Sequence, residues 1–309
     1  MTTNDKPTLY VHIGMGKTGS TAIQKHLRAH SDLLLDHGVL YPTSYMAYGY
    51  VHYHLNAVFS FLPGEPKEID RAIFDREVEA SGAHSIIISN EFFTTLGNDS
   101  KAEFNAYFSD YNIKIVVFIR HHVDWFVSMY GQSLSNQEPI WSPGFKNYCE
   151  FQLEYNPQPW LYSELLAEYG SVCGPENLIV VPYDPPIFEN NCVAHHFLNG
   201  LGVLTPELAE QFPKAKRENT GLDPRLYGMI EGALRDESLT SEQRDQARKD
   251  LVETAIFGSE PDPAIVEEMR AFALPFFAEH IAEYPQICDK YLQNYPDSVF
   301  MRPYRSDIV

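Results

Sequence analysis

The chain has 309 residues, 44% of them hydrophobic, and a formal net charge of −19. That length and apolar content suffice for a sizeable core, and so acidic a surface argues against nucleic acid, heparin-like polyanions and anionic membranes as partners. No segment has the long uncharged apolar run of a membrane helix, and the opening MTTNDKPT lacks the basic-then-apolar layout of a signal peptide, so a cytoplasmic protein with no integral membrane segment is expected.

In chain order, Leu9, Val11 and Ile13 alternate with Tyr10 and His12, which predicts a strand, and the run from Thr21 to Arg28 predicts a helix. Between them lies a Gly-rich turn. Gly14, Gly16 and Gly19 can take backbone angles closed to other residues, so amides can converge on an anion at the helix N-terminus. Lys17 supplies the counter-charge, and Thr18, Ser20 and Thr21 supply donors. A complete Walker loop needs a further glycine at the position of Val11, so an ordinary ATP or GTP loop is not indicated.

Further strands are expected near 37–41, 84–90, 113–119 and 177–182, the first one spanning 8–14. Helices are expected near 20–31, 67–81, 99–109, 121–136, 158–169 and 190–201. This alternation predicts a mostly parallel sheet covered on both faces, with ligands beyond the C-terminal ends of its strands. The run Ile113–Ile119 is near-continuously β-branched, as in a buried parallel strand, and ends at Arg120. After 223 the pattern turns helical, and the chain reads as one domain of an α/β core (1–222) and a helical extension (223–309). The four cysteines, Cys149, Cys173, Cys192 and Cys288, have no metal spacing and are expected as free thiols, so no metal site is expected.

The two motifs Lys17-Thr18-Gly19-Ser20-Thr21 and Arg120 with Ser128 eight positions on resemble those of the sulfotransferases that use 3′-phosphoadenylyl sulfate (PAPS). The flanking HIGMGKTGST and IRHHVDWFVSMYGQ look like bacterial members, and the resemblance runs to about residue 130. It implies a P-loop-like three-layer sandwich, PAPS as co-substrate without a metal, a first motif that holds the 5′-phosphosulfate, and a second that holds the 3′-phosphate. It also gives Lys17 the bridging oxygen between sulfate and phosphate. A late polar loop in the family closes over the nucleotide, and Arg217 with Asn219 looks similar in place and character.

Sulfuryl transfer calls for a base. Glu91 follows the apolar strand HSIIISN and is expected at the sheet's C-terminal edge, while His52 and His54 lie on one side of an extended Tyr50–Leu55. An imidazole is poised near neutral pH, and family members use either residue type, so Glu91 and His54 rank together with His52 behind. His121 and His122 either flank the 3′-phosphate pocket or open a solvent-facing helix, and Trp125 is either in the core or near the adenine, with the core favoured.

For the acceptor, Tyr41, Tyr45, Tyr48, Tyr50 and Tyr53, together with Trp141 and Trp160, suit sugar rings as well as an ordinary apolar lid. The expected activity is sulfuryl transfer to a hydroxyl or amine of a carbohydrate or small-molecule acceptor, with a homodimer left open. Two alternatives stand beside it: a nucleotide-dependent kinase with a degenerate P-loop, in which Glu91 would hold magnesium, and a non-catalytic nucleotide-binding homologue.

Overall fold

A computed structural model describes residues 6–59, 71–136, 144–155, 161–214, 222–256 and 263–301. Arg217, Asn219, Trp141 and Trp160 lie outside the described residues.

The elements begin with β1 (Thr8–His12), α1 (Ser20–Ala29), α2 (Ser31–Asp36), β2 (Val39–Leu40), α3 (Leu55–Phe59), α4 (Arg71–Ser81), β3 (Ser85–Ser89) and α5 (Asn98–Tyr107). They continue through β4 (Asn112–Ile119), α6 (His122–Asn136), α7 (Phe145–Tyr155), α8 (Tyr162–Cys173), β5 (Leu178–Pro182), α9 (Val193–Gly200) and α10 (Pro206–Gln211). The remainder is helical: α11 (Tyr227–Arg235), α12 (Ser241–Ile256), α13 (Pro263–Ala273), α14 (Ala278–Ala282) and α15 (Tyr284–Tyr291). All five strands stand where the apolar runs place them. The chain forms two compact units, the first comprising Met1–Ile119, Gln158–Lys216 and Glu283–Arg302, the second Arg120–Pro157, Arg217–Ala282 and Pro303–Val309.

The first unit is built on a parallel five-stranded sheet of order β2-β3-β1-β4-β5, with β1 at its centre. Parallel strands require crossovers, and those crossovers bury both faces of the sheet, which is why the strands read as near-unbroken apolar runs. Tyr10, Ile87, Val116, Phe118 and Val181 pack with Ile23 and Leu27 of α1 and with Ala194, Phe197 and Leu198 of α9. The alternate residues Leu9, Val11, Ile86, Ile88, Ile115 and Val117 are equally buried and point the opposite way, towards the layer that holds α8. The result is the three-layer α/β arrangement expected from the sequence.

The second unit is helical among its described residues. Tyr227 on α11 donates its hydroxyl to the Val127 carbonyl of α6 (3.2 Å), and Tyr130 packs edge-on against its ring. A β-carbon on Gly131 would sit 2.3 Å from the Tyr227 hydroxyl, so the glycine is what lets the two helices approach. Asp124 at the start of α6 accepts from Arg270 Nε of α13 (2.6 Å).

No helix among the described residues is long and apolar enough to cross a membrane, and no group of three His, Cys, Asp or Glu there could hold a metal ion.

Candidate functional site

The Gly-rich turn leaves the C-terminal end of β1 and enters α1. Gly14 and Gly19 have left-handed backbone (φ +53° and +78°), and so does Lys17 (φ +67°), which carries a β-carbon. Thr18 is fully buried and donates both its amide (3.2 Å) and its hydroxyl (2.5 Å) to the Met15 carbonyl, so it braces the turn from inside. Both of its donors close the turn on itself in this structure. Gly19 is the N-cap of α1, and a β-carbon there would meet the Tyr183 ring at 2.9 Å and Val193 at 3.2 Å. The first-turn amides of α1 have no intrahelical acceptor, and no acidic residue sits among them. A turn shaped in this way fits an anionic phosphate group at the helix N-terminus.

Glu91 reaches this turn from β3. Asn90 caps the short turn Glu91–Thr95, its Oδ1 accepting from the Phe92 amide (3.1 Å), and the Glu91 carboxylate then accepts from the Ser20 hydroxyl. A β-carbon on Gly14 would lie 3.1 Å from Glu91 Cγ, so the glycine is also what admits this side chain. Ser20, itself 2% exposed, and Glu91 come together across more than seventy positions of sequence, and the carboxylate stands beside the cradle proposed for anions.

Beneath the loop runs a buried polar seam. Ser89 Oγ receives Gln24 Nε2 (3.0 Å) and lies 2.7 Å from His12 Nδ1, while the Asn90 amide donates to the His12 carbonyl (2.9 Å). His12 is fully buried against Phe118 and Phe197, and its Nε2 has no partner among the described residues. Asn90 Nδ2 donates to the His52 carbonyl (3.2 Å) and to Asn56 Oδ1 (2.7 Å), which ties the segment after Pro42 to the turn that presents Glu91.

His52 is itself part of that seam. Its Nδ1 accepts from the Ser89 amide (3.1 Å), so Nε2 carries the hydrogen and donates to the Pro42 carbonyl (3.0 Å). With both nitrogens engaged and the ring fully buried, His52 has no nitrogen to offer an acceptor hydroxyl; it positions Asn90 and Ser89 instead. His54 is exposed on the following turn and retains that option.

Burial holds the His12 imidazole down to about 3 and the His52 imidazole down to about 4, so both stay neutral in the fold. An unfolded chain binds these protons from about pH 6.5 downward while the folded chain refuses them, so stability falls as pH drops through that window. The midpoint of urea unfolding should decline below about pH 6.5, each ring contributing on the order of 1.4 kcal/mol per pH unit, and a flat profile down to about pH 4 would count against their burial.

Arg120 and Ser128 belong to the second unit, Arg120 half-buried just ahead of α6 and Ser128 half-buried upon it. Arg120 lies near enough to Tyr227 to draw its phenol downward, although burial dominates and raises it. His121 and His122 are buried rather than solvent-facing, with His122 stacked on Phe277 (6.1 Å) and burial holding His121 down to about 4. Trp125 is in the core, as expected.

No family model and no curated protein matches the chain. Among solved structures, the crystal structure of a sulfotransferase from Alicyclobacillus acidocaldarius aligns with 85% of this chain and 99% of its own, at 15% identity and a TM-score of 0.42.

Proposed function

We propose that this chain is a PAPS-dependent sulfotransferase, moving a sulfuryl group to a hydroxyl or amine of a carbohydrate or small-molecule acceptor. The observation that carries the reading is the meeting of a glycine-shaped anion cradle with a strand-end glutamate at Ser20 and Glu91. The donor brings the transferable group. Gly14, Gly16 and Gly19 let backbone amides approach its 5′-phosphate, Ser20 and Thr21 add donors, and Lys17 offsets charge on the leaving oxygen. Glu91 takes the proton of the acceptor hydroxyl, with His54 as the alternative. Arg120 and Ser128 bind the 3′-phosphate in this reading, with Arg217 and Asn219 closing over the nucleotide, and catalysis is mostly positioning and electrostatics.

The same Ser20–Glu91 pair gives the kinase reading its one supporting observation, since a loop hydroxyl and a strand-end carboxylate could share a magnesium ion. Calorimetric titration separates the two. Adenosine 3′,5′-bisphosphate should bind tightly with little response to ATP and magnesium, and the opposite preference would replace the sulfotransferase reading with the kinase one.

A further inference from the structure

Three aromatic side chains form a row that starts next to Glu91. Phe92, the next residue in the capped turn, is 55% exposed, and its ring lies 5.4 Å from that of half-buried Tyr53, edge to face. Tyr53 in turn lies 5.9 Å from Tyr48, which is 77% exposed. Hydrophobic burial does not account for the two ends of the row: Tyr48 and Phe92 face water on either side of half-buried Tyr53.

The backbone supplies an independent observation. Tyr45 and Tyr48 both have left-handed φ (+63° and +53°), and Gly49 follows at +78° in a loop closed by pairing of Ala47 with Val51. For a bulky residue this conformation is an outlier, tolerated where the surroundings enforce it. Tyr45 has a packing reason, since it is 5% exposed and its hydroxyl bonds that of Tyr107 (3.0 Å). Tyr48 has none. Glycine would fit its backbone better, yet the loop holds an aromatic ring out into solvent at the end of a row that leads to the candidate base.

Resting on the sulfotransferase reading above, we propose that Tyr48, Tyr53 and Phe92 are the acceptor platform and that its ligand is a neutral oligosaccharide. A small phenol gains its affinity from enclosure on most sides, which rings this exposed do not offer. A sugar ring needs only one apolar face, with its hydroxyls left in water or paired with the tyrosine hydroxyls. The two exposed rings, Tyr48 and Phe92, stand at opposite ends of an edge-to-face row, so a ligand that meets both spans more than one sugar unit. The net charge of −19 opposes an acceptor already sulfated or carboxylated.

The test uses saturation-transfer NMR on the full chain loaded with adenosine 3′,5′-bisphosphate, whose binding is first measured by calorimetry. The probes are cellohexaose, maltohexaose and chitohexaose, beside p-nitrophenol and a heparin hexasaccharide. At least one neutral hexasaccharide should receive saturation at its ring C–H protons. Phe92→Ala and Tyr48→Gly should weaken that binding about fivefold or more. Ile73→Ala, at an exposed isoleucine of α4, should leave it unchanged. Tyr48→Gly removes the ring and relieves the backbone together, so its melting temperature should hold or rise while saccharide binding drops. Equal binding by parent, Phe92→Ala and Tyr48→Gly overturns the platform, and so does a failure of every neutral saccharide, whether or not the phenol or heparin fragment binds. In each of those cases intact bisphosphate binding leaves the sulfotransferase reading standing; loss of bisphosphate binding by the parent chain overturns that reading and this proposal with it.

Discussion

Glu91→Gln should keep nucleotide binding and lose turnover by about 10²–10⁴-fold, the range expected when a general base is removed. The amide is nearly isosteric, and its oxygen can still accept from Ser20, so the turn between β1 and α1 keeps its shape. Removing a negative charge from beside an anion cradle should leave bisphosphate affinity unchanged or slightly raised. Calorimetry and single-turnover assays on the same preparation read both halves. Full activity in Glu91→Gln would pass the base to exposed His54, and His54→Ala would then carry the loss; full activity in both variants would overturn the assignment. His52→Ala is a different experiment, because it unties the hydrogen bonds to Ser89 and Pro42 and should act on stability.

Lys17→Gly should separate stability from function in the opposite direction. The lysine sits at φ +67°, where a β-carbon costs about 1 kcal/mol or more, so glycine should hold or raise the unfolding midpoint. The same change deletes the one cation of the GMGKTGST turn. A charge-assisted hydrogen bond contributes about 1.5–3 kcal/mol, so bisphosphate affinity should fall about tenfold to a hundredfold. Equal affinity in parent and variant would mean that Lys17 does not face the anion. Lys17 and Tyr48 thus make one pattern: both strained positions favour glycine on conformational grounds and carry a side chain that the proposed chemistry needs.

The sheet was legible because parallel strands buried on both faces leave unbroken apolar runs, and Ile113–Ile119 and the HSIIISN stretch are of that kind. The loop was legible because glycines at left-handed φ leave a mark in composition, as Gly14 and Gly19 do. Glu91 could be placed at a strand's end, but not in contact with Ser20, since nothing local encodes a meeting of β3 with α1. The histidines were harder. His52 and His54 look alike in an aromatic stretch, and only the fold separates an imidazole with both nitrogens bonded to backbone groups from one in water. His12 carries no functional signal in the sequence, for an alternating strand residue reads as half-exposed until β4 and α9 cover it with Phe118 and Phe197. Thr18 shows the converse: a hydroxyl in a phosphate-loop pattern reads as a ligand, yet its donors close the loop on itself.

The position of β1 has a consequence for biosynthesis. It leaves the ribosome before either of its neighbours, Ser85–Ser89 on one side and Asn112–Ile119 on the other. Until both have been translated, the apolar run of Leu9, Val11 and Ile13 has no sheet to join, and such long-range parallel pairing is slow. The nascent chain therefore carries this apolar segment without its full set of neighbours until Asn112–Ile119 has been made, a period in which a holding chaperone would matter. The Gly-rich turn that follows β1 is likewise made before the strands that enclose β1.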